Sequence, residues 1–398
     1  MRQYWFPDDV RVRREVNALL EAGHEVDVVC AAKPGAPRRQ RHGRLRVIRL
    51  PLRHRRGSPA LYLLSYAAFL GLATLVVGLL HVLRRYRLVQ VNTVPDSLVF
   101  SALVPKLTGA KVLLDLHEVM PEFYATKFGV GLDHPAVGVL AGVEQASIRF
   151  ADASVTCTEQ QREAFASRGA DPQRIGVVLN SSDEELFDVR RYPRTADEDP
   201  LFRVICHGTI EPHYGLDTLV RAAALLRDEI PELRVEIFGD GTYRDELVRL
   251  VAELGVEDLV CFSDGVVPYE ELLQALARAD AGVVAMKRDA FRDLTHCNKM
   301  FDFVVMRTPA AVSRTRSVEA YFDDDSFRFF QAGDEHDLAR ALRELHRDPQ
   351  LRRRLAEHAV EVAEPYRWPR QRERYLSLVE GLLDGASAED AVQASLAA

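Results

Sequence analysis

Short apolar runs of four to six residues alternate with helical stretches along this chain, and the alternation stops at a polar segment and starts again. Runs at 25–30, 45–50, 88–92, 111–116, 153–157 and 175–179 read as strands. Helical patterns at 10–22, 97–107, 135–150 and 159–168 fall among them. After a polar linker at 181–200, strands read at 203–207, 233–238, 259–262 and 281–286, with helices at 216–227, 243–254 and 269–278. Regular strand–helix alternation specifies parallel sheets covered by helices on both faces. The restart predicts two α/β units, which a length of 398 residues accommodates. Ligands of such sheets bind beyond the carboxyl ends of the strands. Gly208, Gly239 and Gly241 fall at such ends.

So does Thr295-His-Cys-Asn-Lys-Met-Phe-Asp-Phe303, which follows the 281–286 run. This stretch reads as a helix capped by Thr295 and continuing up to Pro309, which cannot extend one. Asn298, Lys299 and Asp302 then share a face. A lysine in a first helical turn works against the dipole unless an anion sits there, so a phosphate is expected on Lys299 and the helix start. Asp302, one turn deeper, would accept hydrogen bonds from sugar hydroxyls. The plainer reading is a surface helix with one lysine and a solvated aspartate.

The net charge of −7 gives no sign of nucleic-acid binding. Five scattered cysteines without a CxxC pair suggest neither a zinc site nor a disulfide framework, and a reducing cytosol is the expected compartment. Cys297 reads as a packing residue. No secretory signal and no internal repeat is evident. At the start, only residues 3–6 precede the first helix as a strand candidate. Either that strand is stunted or the true start lies upstream.

Residues 33–56 carry ten Lys or Arg and no acid. Residues 61–80 then contain no charge at all, with Arg53, Arg55 and Arg56 before them and Arg84, Arg85 and Arg87 after. Three readings compete for this run: a membrane span, an ordinary core helix, and a core helix with one side on a membrane. A strand at 88–92 follows promptly, which is βαβ grammar and favours a helix of the core. Basic flanks favour anionic lipid.

In this order along the chain, Gly23-His-Glu-Val26, Asp115-Leu-His-Glu118, Phe150-Ala-Asp-Ala153, His207-Gly-Thr-Ile210, Gly215-Leu-Asp-Thr-Leu219, Phe238-Gly-Asp-Gly241 and Asn298-Lys-Met-Phe-Asp302 resemble the retaining glycosyltransferases of family 4, which have the GT-B fold. The resemblance covers nearly the whole chain. It implies two Rossmann-like domains with parallel sheets facing a central cleft: an acceptor domain at 1–182, a donor domain at 200–362, and a C-terminal helix at 363–385 that crosses back to the first. It further implies a nucleoside-diphosphate sugar as donor, no cofactor and no metal. Asp323-Asp-Asp325 reads as a solvated charge run. Donor contacts are expected from Gly208, Thr209, Gly239, Asp240, Gly241, Asn298, Lys299 and Asp302. Lys299 and His117 are the catalytic candidates, with Glu118 and Glu122 on the acceptor side.

Two departures from the family pattern stand out. An acid expected eight positions before Asp302 is Leu294, with Asp293 beside it as a substitute. The Arg and Lys that grip the diphosphate in the family are matched by Thr209 and Tyr214, leaving Lys299 as the main cation, with His213 as an assistant. The expected partners are the donor, a sugar or lipid-linked acceptor, and an anionic membrane met through residues 33–87, as in polysaccharide or glycolipid assembly on the inner face of a cytoplasmic membrane. A non-catalytic nucleotide-sugar binder and a nucleotide-sugar epimerase are the alternatives.

Overall fold

The structure, a computed structural model, describes residues 1–52, 59–193 and 201–398. Arg53, Arg55 and Arg56, and the end of the linker, lie outside the described residues. Two compact units are present. Met1–Asn180 with Pro369–Ala398 form unit 1, and Ser181–Trp368 form unit 2.

Unit 1 holds β1 (Val26–Ala31), β2 (Arg39–His42), β3 (Leu45–Leu50), β4 (Leu88–Asn92), β5 (Lys111–Leu116), β6 (Ala153–Thr156) and β7 (Ile175–Val177). They pair in the orders β1-β3-β2 and β4-β5-β6-β7. Arg2 joins the two halves, bridging Cys30 of β1 on one side and Asn92 of β4 on the other. Its amide donates to the Val29 carbonyl at 3.1 Å, while the Met1 carbonyl accepts from the Asn92 amide at 2.8 Å. The first strand expected at 3–6 is therefore a single bridging residue earlier in the chain, and Phe6 turns into the core beside Val12, Val16, Val28, Cys30 and Val47. All pairings are parallel except β2 with β3, which is antiparallel. That hairpin escaped the sequence reading because Arg39–His42 is polar throughout and lies at the sheet edge.

Helix α1 (Val10–Glu21) starts at Asp9, whose carboxylate accepts from the Val12 amide. It delivers Arg11 into the middle of the unit. Arg11 donates from Nη2 to Asp115 Oδ1 at 2.8 Å, from Nε to Asp115 Oδ2 at 3.0 Å, and from Nη1 to the Val178 carbonyl at 2.7 Å. Burial alone would raise the Asp115 carboxyl, but Arg11 and then His117 outweigh it and hold the group well below the usual carboxylate range. The uncharged run forms α2 (Pro59–Arg84), which leads into β4 and packs beside the short α3 (Leu103–Leu107). The helix Trp368–Leu383 belongs to this unit from Pro369 onward, as does the last helix, Ala388–Ala397. In the former, Gln371 accepts the Leu179 amide at 2.7 Å, and the Tyr375 hydroxyl donates to Gln90.

Unit 2 carries β8 (Phe202–His207), β9 (Leu233–Phe238), β10 (Val260–Phe262), β11 (Ala281–Val284), β12 (Ala310–Ser313) and β13 (Arg328–Phe330) in the order β10-β9-β8-β11-β12-β13. Every pairing is parallel. Helix α4 (Leu216–Leu226) buries Leu216, Leu219, Val220, Ala223 and Leu226 against this sheet, a face set by its three- and four-residue spacing. β8 and β11 are neighbours whose connections run to opposite sides of the sheet. This is the switch point at which such sheets open a crevice.

Arg11→Met is expected to strand Asp115 as a buried charge and cost about 3–5 kcal/mol of unfolding free energy. Urea unfolding followed by circular dichroism measures it, and Arg11→Met/Asp115→Asn should recover part of the loss.

Candidate active site

The loops that leave β8 and β9 are laid one on the other. Gly208 donates its amide to the Phe238 carbonyl at 2.8 Å and Ile210 donates to the Asp240 carbonyl at 2.9 Å. A Cβ on Gly239, at φ +136°, would sit 2.0 Å from the Gly208 carbonyl oxygen, so only glycine allows this approach. On its other side Gly208 is covered by the stem of Lys299, whose Cε would lie 2.5 Å from a Cβ at 208. Asp240 accepts the Gly241 amide at 2.8 Å, and Asp240 and Thr209 are exposed.

Helix α5 (Lys299–Val305) carries the lysine at its first position. It starts three residues later and ends earlier than the sequence suggested. Thr295 is not its cap; the Thr295 hydroxyl donates back to the Phe291 carbonyl at 3.1 Å. Asn298 stands at the cap position in helical conformation without a capping hydrogen bond, and is exposed. With two turns at most, α5 contributes little dipole, and the positive charge at its start is that of the Lys299 side chain.

Lys299 Nζ lies 3.8 Å from the centre of the Tyr214 ring and has no carboxylate partner among the described residues. Burial works against its charge, but groups that become negative at alkaline pH (Cys297, Cys206, Tyr214), together with Asp302, raise its pKa, so it stays cationic at neutrality. Arg292 lies over the same ring, its Cζ 5.4 Å from the centre and 4.8 Å from that of Phe291. Its Nε is buried without a hydrogen-bond partner. The sequence reading passed over Arg292. Its signal was an arginine in the loop that the β11 strand feeds, at 285–298.

Asp302 is buried and accepts the Ser182 hydroxyl on Oδ1 at 2.6 Å. Ser182 stands in what reads as linker. There Ser182 and Phe187 are both buried, and Phe187 packs 6.3 Å from the His207 ring. His207 Nε2 lies 3.8 Å from Asp302 Oδ2. Burial, and after it the charge on Lys299, lowers His207 to about 3, so it is neutral. His213 is lowered to about 4, by burial first and Arg292 second, and is no phosphate-binding cation at neutral pH.

In unit 1, His117 follows β5 directly, with Nε2 2.9 Å from Asp115 Oδ2, and burial lowers its pKa. A neutral ring that donates from Nε2 to Asp115 presents Nδ1 as an acceptor. Glu122 is not an open acceptor-side acid: it is buried and accepts from Arg168 Nη1 at 2.7 Å, while Arg168 also grips Glu144. Glu118 is half-buried in the turn between β5 and the helix Met120–Phe128.

Residues 9–181 match the family described as the glycosyl transferase 4-like domain, and residues 193–362 match the glycosyl transferases group 1. The chain belongs to the group 1 glycosyltransferases. Similar to this glycosyltransferase are the D-inositol 3-phosphate glycosyltransferases of Thermomonospora curvata (30% identical, 64% of this chain and 62% of that one) and Corynebacterium glutamicum (27%, 56% and 56%). The chain thus spans about six-tenths of the length of these relatives. Among solved structures, sucrose-phosphate synthase of Thermosynechococcus elongatus is similar at a TM-score of 0.74, with 20% identity over 97% of this chain and 96% of that one. Anabaena HepE, solved with UDP, is similar at 0.68, with 14% identity over 96% and 98%. These likenesses place the fold as GT-B.

In this group 1 glycosyltransferase, Leu294 is buried at the position where the family resemblance implies an acid. Asp293 does not replace it. Both its carboxylate oxygens take Arg288 Nε at 2.9 Å, and one also accepts the Arg316 amide.

A buried histidine held neutral makes stability pH-dependent. His207 is lowered in the folded state, so stability is complete above the unfolded histidine pKa of about 6.5 and falls as pH drops toward about 3, by about 1.4 kcal/mol per pH unit. His207→Gln should flatten that segment of a pH series of urea midpoints.

Proposed function

We propose that this chain is a retaining glycosyltransferase that moves a sugar from a nucleoside-diphosphate donor to a hydroxyl of a membrane-borne acceptor, without a divalent metal. The observation that carries the reading is the unpartnered Lys299 ammonium, laid on the bare backbone of Gly208 at the switch point of the unit 2 sheet. The diphosphate would be met by Lys299 and by Arg292 over Tyr214. Arg292 thereby supplies the second cation that Thr209 and Tyr214 do not. Asp302, oriented by Ser182, would accept the ribose hydroxyls. Charge builds on the leaving diphosphate as the sugar bond breaks, and fixed cations aimed at that position stabilise it. His117 Nδ1 would accept a hydroxyl of a sugar that binds unit 1. The relatives named above support transfer, and the UDP bound by HepE supports a nucleotide donor. A further relative of 39% identity over 77 residues, the GDP-mannose-dependent phosphatidylinositol monomannoside mannosyltransferase of Mycolicibacterium smegmatis, supports a lipid acceptor.

A non-catalytic binder of nucleotide sugars is the second reading. It is favoured by Leu294 and by the engagement of Asp293 with Arg288.

A thermal-shift panel with UDP, GDP, ADP and dTDP tests donor binding. One of them should stabilise the wild type, by about 2.7 kcal/mol at a hundredfold its Kd. Lys299→Ala should abolish the shift, and Arg292→Gln should weaken binding by about 1.5–3 kcal/mol, the worth of a hydrogen bond to a charged group. No shift with any nucleotide would overturn the donor reading. Binding without hydrolysis or transfer of the matching nucleotide sugar would favour the non-catalytic one.

A further inference from the structure

Helix α2 is apolar on two opposite sides, and unit 1 covers one of them. Phe69, Ala73, Val77 and His81 recur every fourth residue and are buried. His81 is fixed there by Thr108 Oγ1 at 2.7 Å. Leu64, Ala68, Gly71, Leu75, Leu79 and Val82, at intervals of three and four, are exposed. They form one stripe about 27 Å long at 1.5 Å per residue. Leu75 is 59% exposed, Leu79 58%, Val82 71% and the adjoining Leu83 79%. Helix α3 continues the surface: Val104 packs against Gly78, 3.6 Å from where a Cβ would stand, and Leu107 is 77% exposed. An outer helix of an α/β unit ordinarily turns polar residues outward, and a contiguous apolar face of this size marks an interaction site.

Charge selects the occupant. Residues 28–95 contain thirteen Lys or Arg and no Asp or Glu, in a chain whose net charge is −7. At the C-terminal end of the stripe Arg84 is anchored by Asp27, Nε to Oδ2 at 3.1 Å. Arg85 is exposed and has no carboxylate partner among the described residues. Self-association through this face would bring two acid-free, basic segments together. A surface of anionic phospholipid would neutralise them while burying the stripe. Spanning is disfavoured by the opposite face, because withdrawing α2 into a bilayer would pull Phe69, Ala73 and Val77 out of the core.

We propose that α2 lies flat in the headgroup layer of an anionic phospholipid bilayer, its Leu75–Leu79–Val82 stripe immersed and Arg85 at the phosphates, so that unit 1 is held on the membrane peripherally. This deepens the membrane-borne acceptor read above and rests on it. It is measured without donor or acceptor, so that failed docking and failed transfer are separate results.

The test is flotation of the full chain with vesicles of phosphatidylcholine alone and of phosphatidylcholine mixed with phosphatidylglycerol. The wild type should float with the mixed vesicles and wash off in alkaline carbonate. Leu75→Gln/Leu79→Gln/Val82→Gln changes only exposed positions and should lose more than about a hundredfold in vesicle affinity, with an unchanged thermal midpoint as the check on folding. Arg85→Gln should lose about fivefold on mixed vesicles and nothing on phosphatidylcholine. Resistance to carbonate would overturn the peripheral placement in favour of a span. A triple variant that floats as the wild type does, or that changes only sedimentation-derived subunit number, would overturn the lipid assignment in favour of a second copy of this chain.

Discussion

An ammonium group with no carboxylate partner, pressed on bare backbone, is the constraint around which unit 2 is arranged. Lys299 can lie where it does because residue 208 has no side chain, and the Gly208 loop can lie where it does because residue 239 has none. The Tyr214 ring supplies the lysine with a polarisable face in place of a counter-ion. The same charge helps to keep His207 neutral beside Asp302, which leaves the aspartate as the nearby anion and Ser182 as its hydroxyl donor. Desolvated cations are costly unless something negative completes them, and an arriving diphosphate has the charge and the shape to do so.

Unit 1 solves the opposite problem. Its central charges are paired within the protein: Arg11 with Asp115, and Asn92 donating to both Asp115 and Glu15. Arg11 also reaches the Val178 carbonyl, so one guanidinium ties the first helix to β5 and to the segment that follows β7. The network fixes His117 at the strand end and selects its tautomer. The imidazole is thereby held in one orientation before any ligand arrives, which lowers the entropic cost of any hydrogen bond it makes. Unit 2 thus leaves a cation open, and unit 1 closes its charges into a network.

The strands that were legible in the sequence carry three or more apolar residues in five or six, enough to bury at least one face. Leu45–Leu50, Leu88–Asn92, Lys111–Leu116 and Leu233–Phe238 match their expected bounds. Arg39–His42 and Ala310–Ser313 did not announce themselves, the first being polar and the second merely four small residues. Lys299 and Asp302 were readable because their spacing places them on one helical face. Ser182 and Arg292 were not, because each reaches its place through tertiary contact from a loop, where no periodicity exists. Glu122 misled for the same reason: its partner Arg168 lies 46 residues away along the chain. The double-sided apolarity of α2 explains why its sequence resembled a span. Periodicity reports the contrast between two faces, and here both are apolar.

The edge strand β2 has a consequence for how this protein meets its neighbours. Its outer side is the rim of the unit 1 sheet, and Arg39 and Arg41 stand exposed along it. A rim crowded with guanidinium groups repels the strand of another copy, and that closes the usual route from a β-edge to a growing aggregate. The apolar stripe of α2 is of another kind, because its peptide groups are already spent on its own turns. A surface of that kind adheres by side chains alone. It cannot propagate as a sheet would, and whatever it holds it can release.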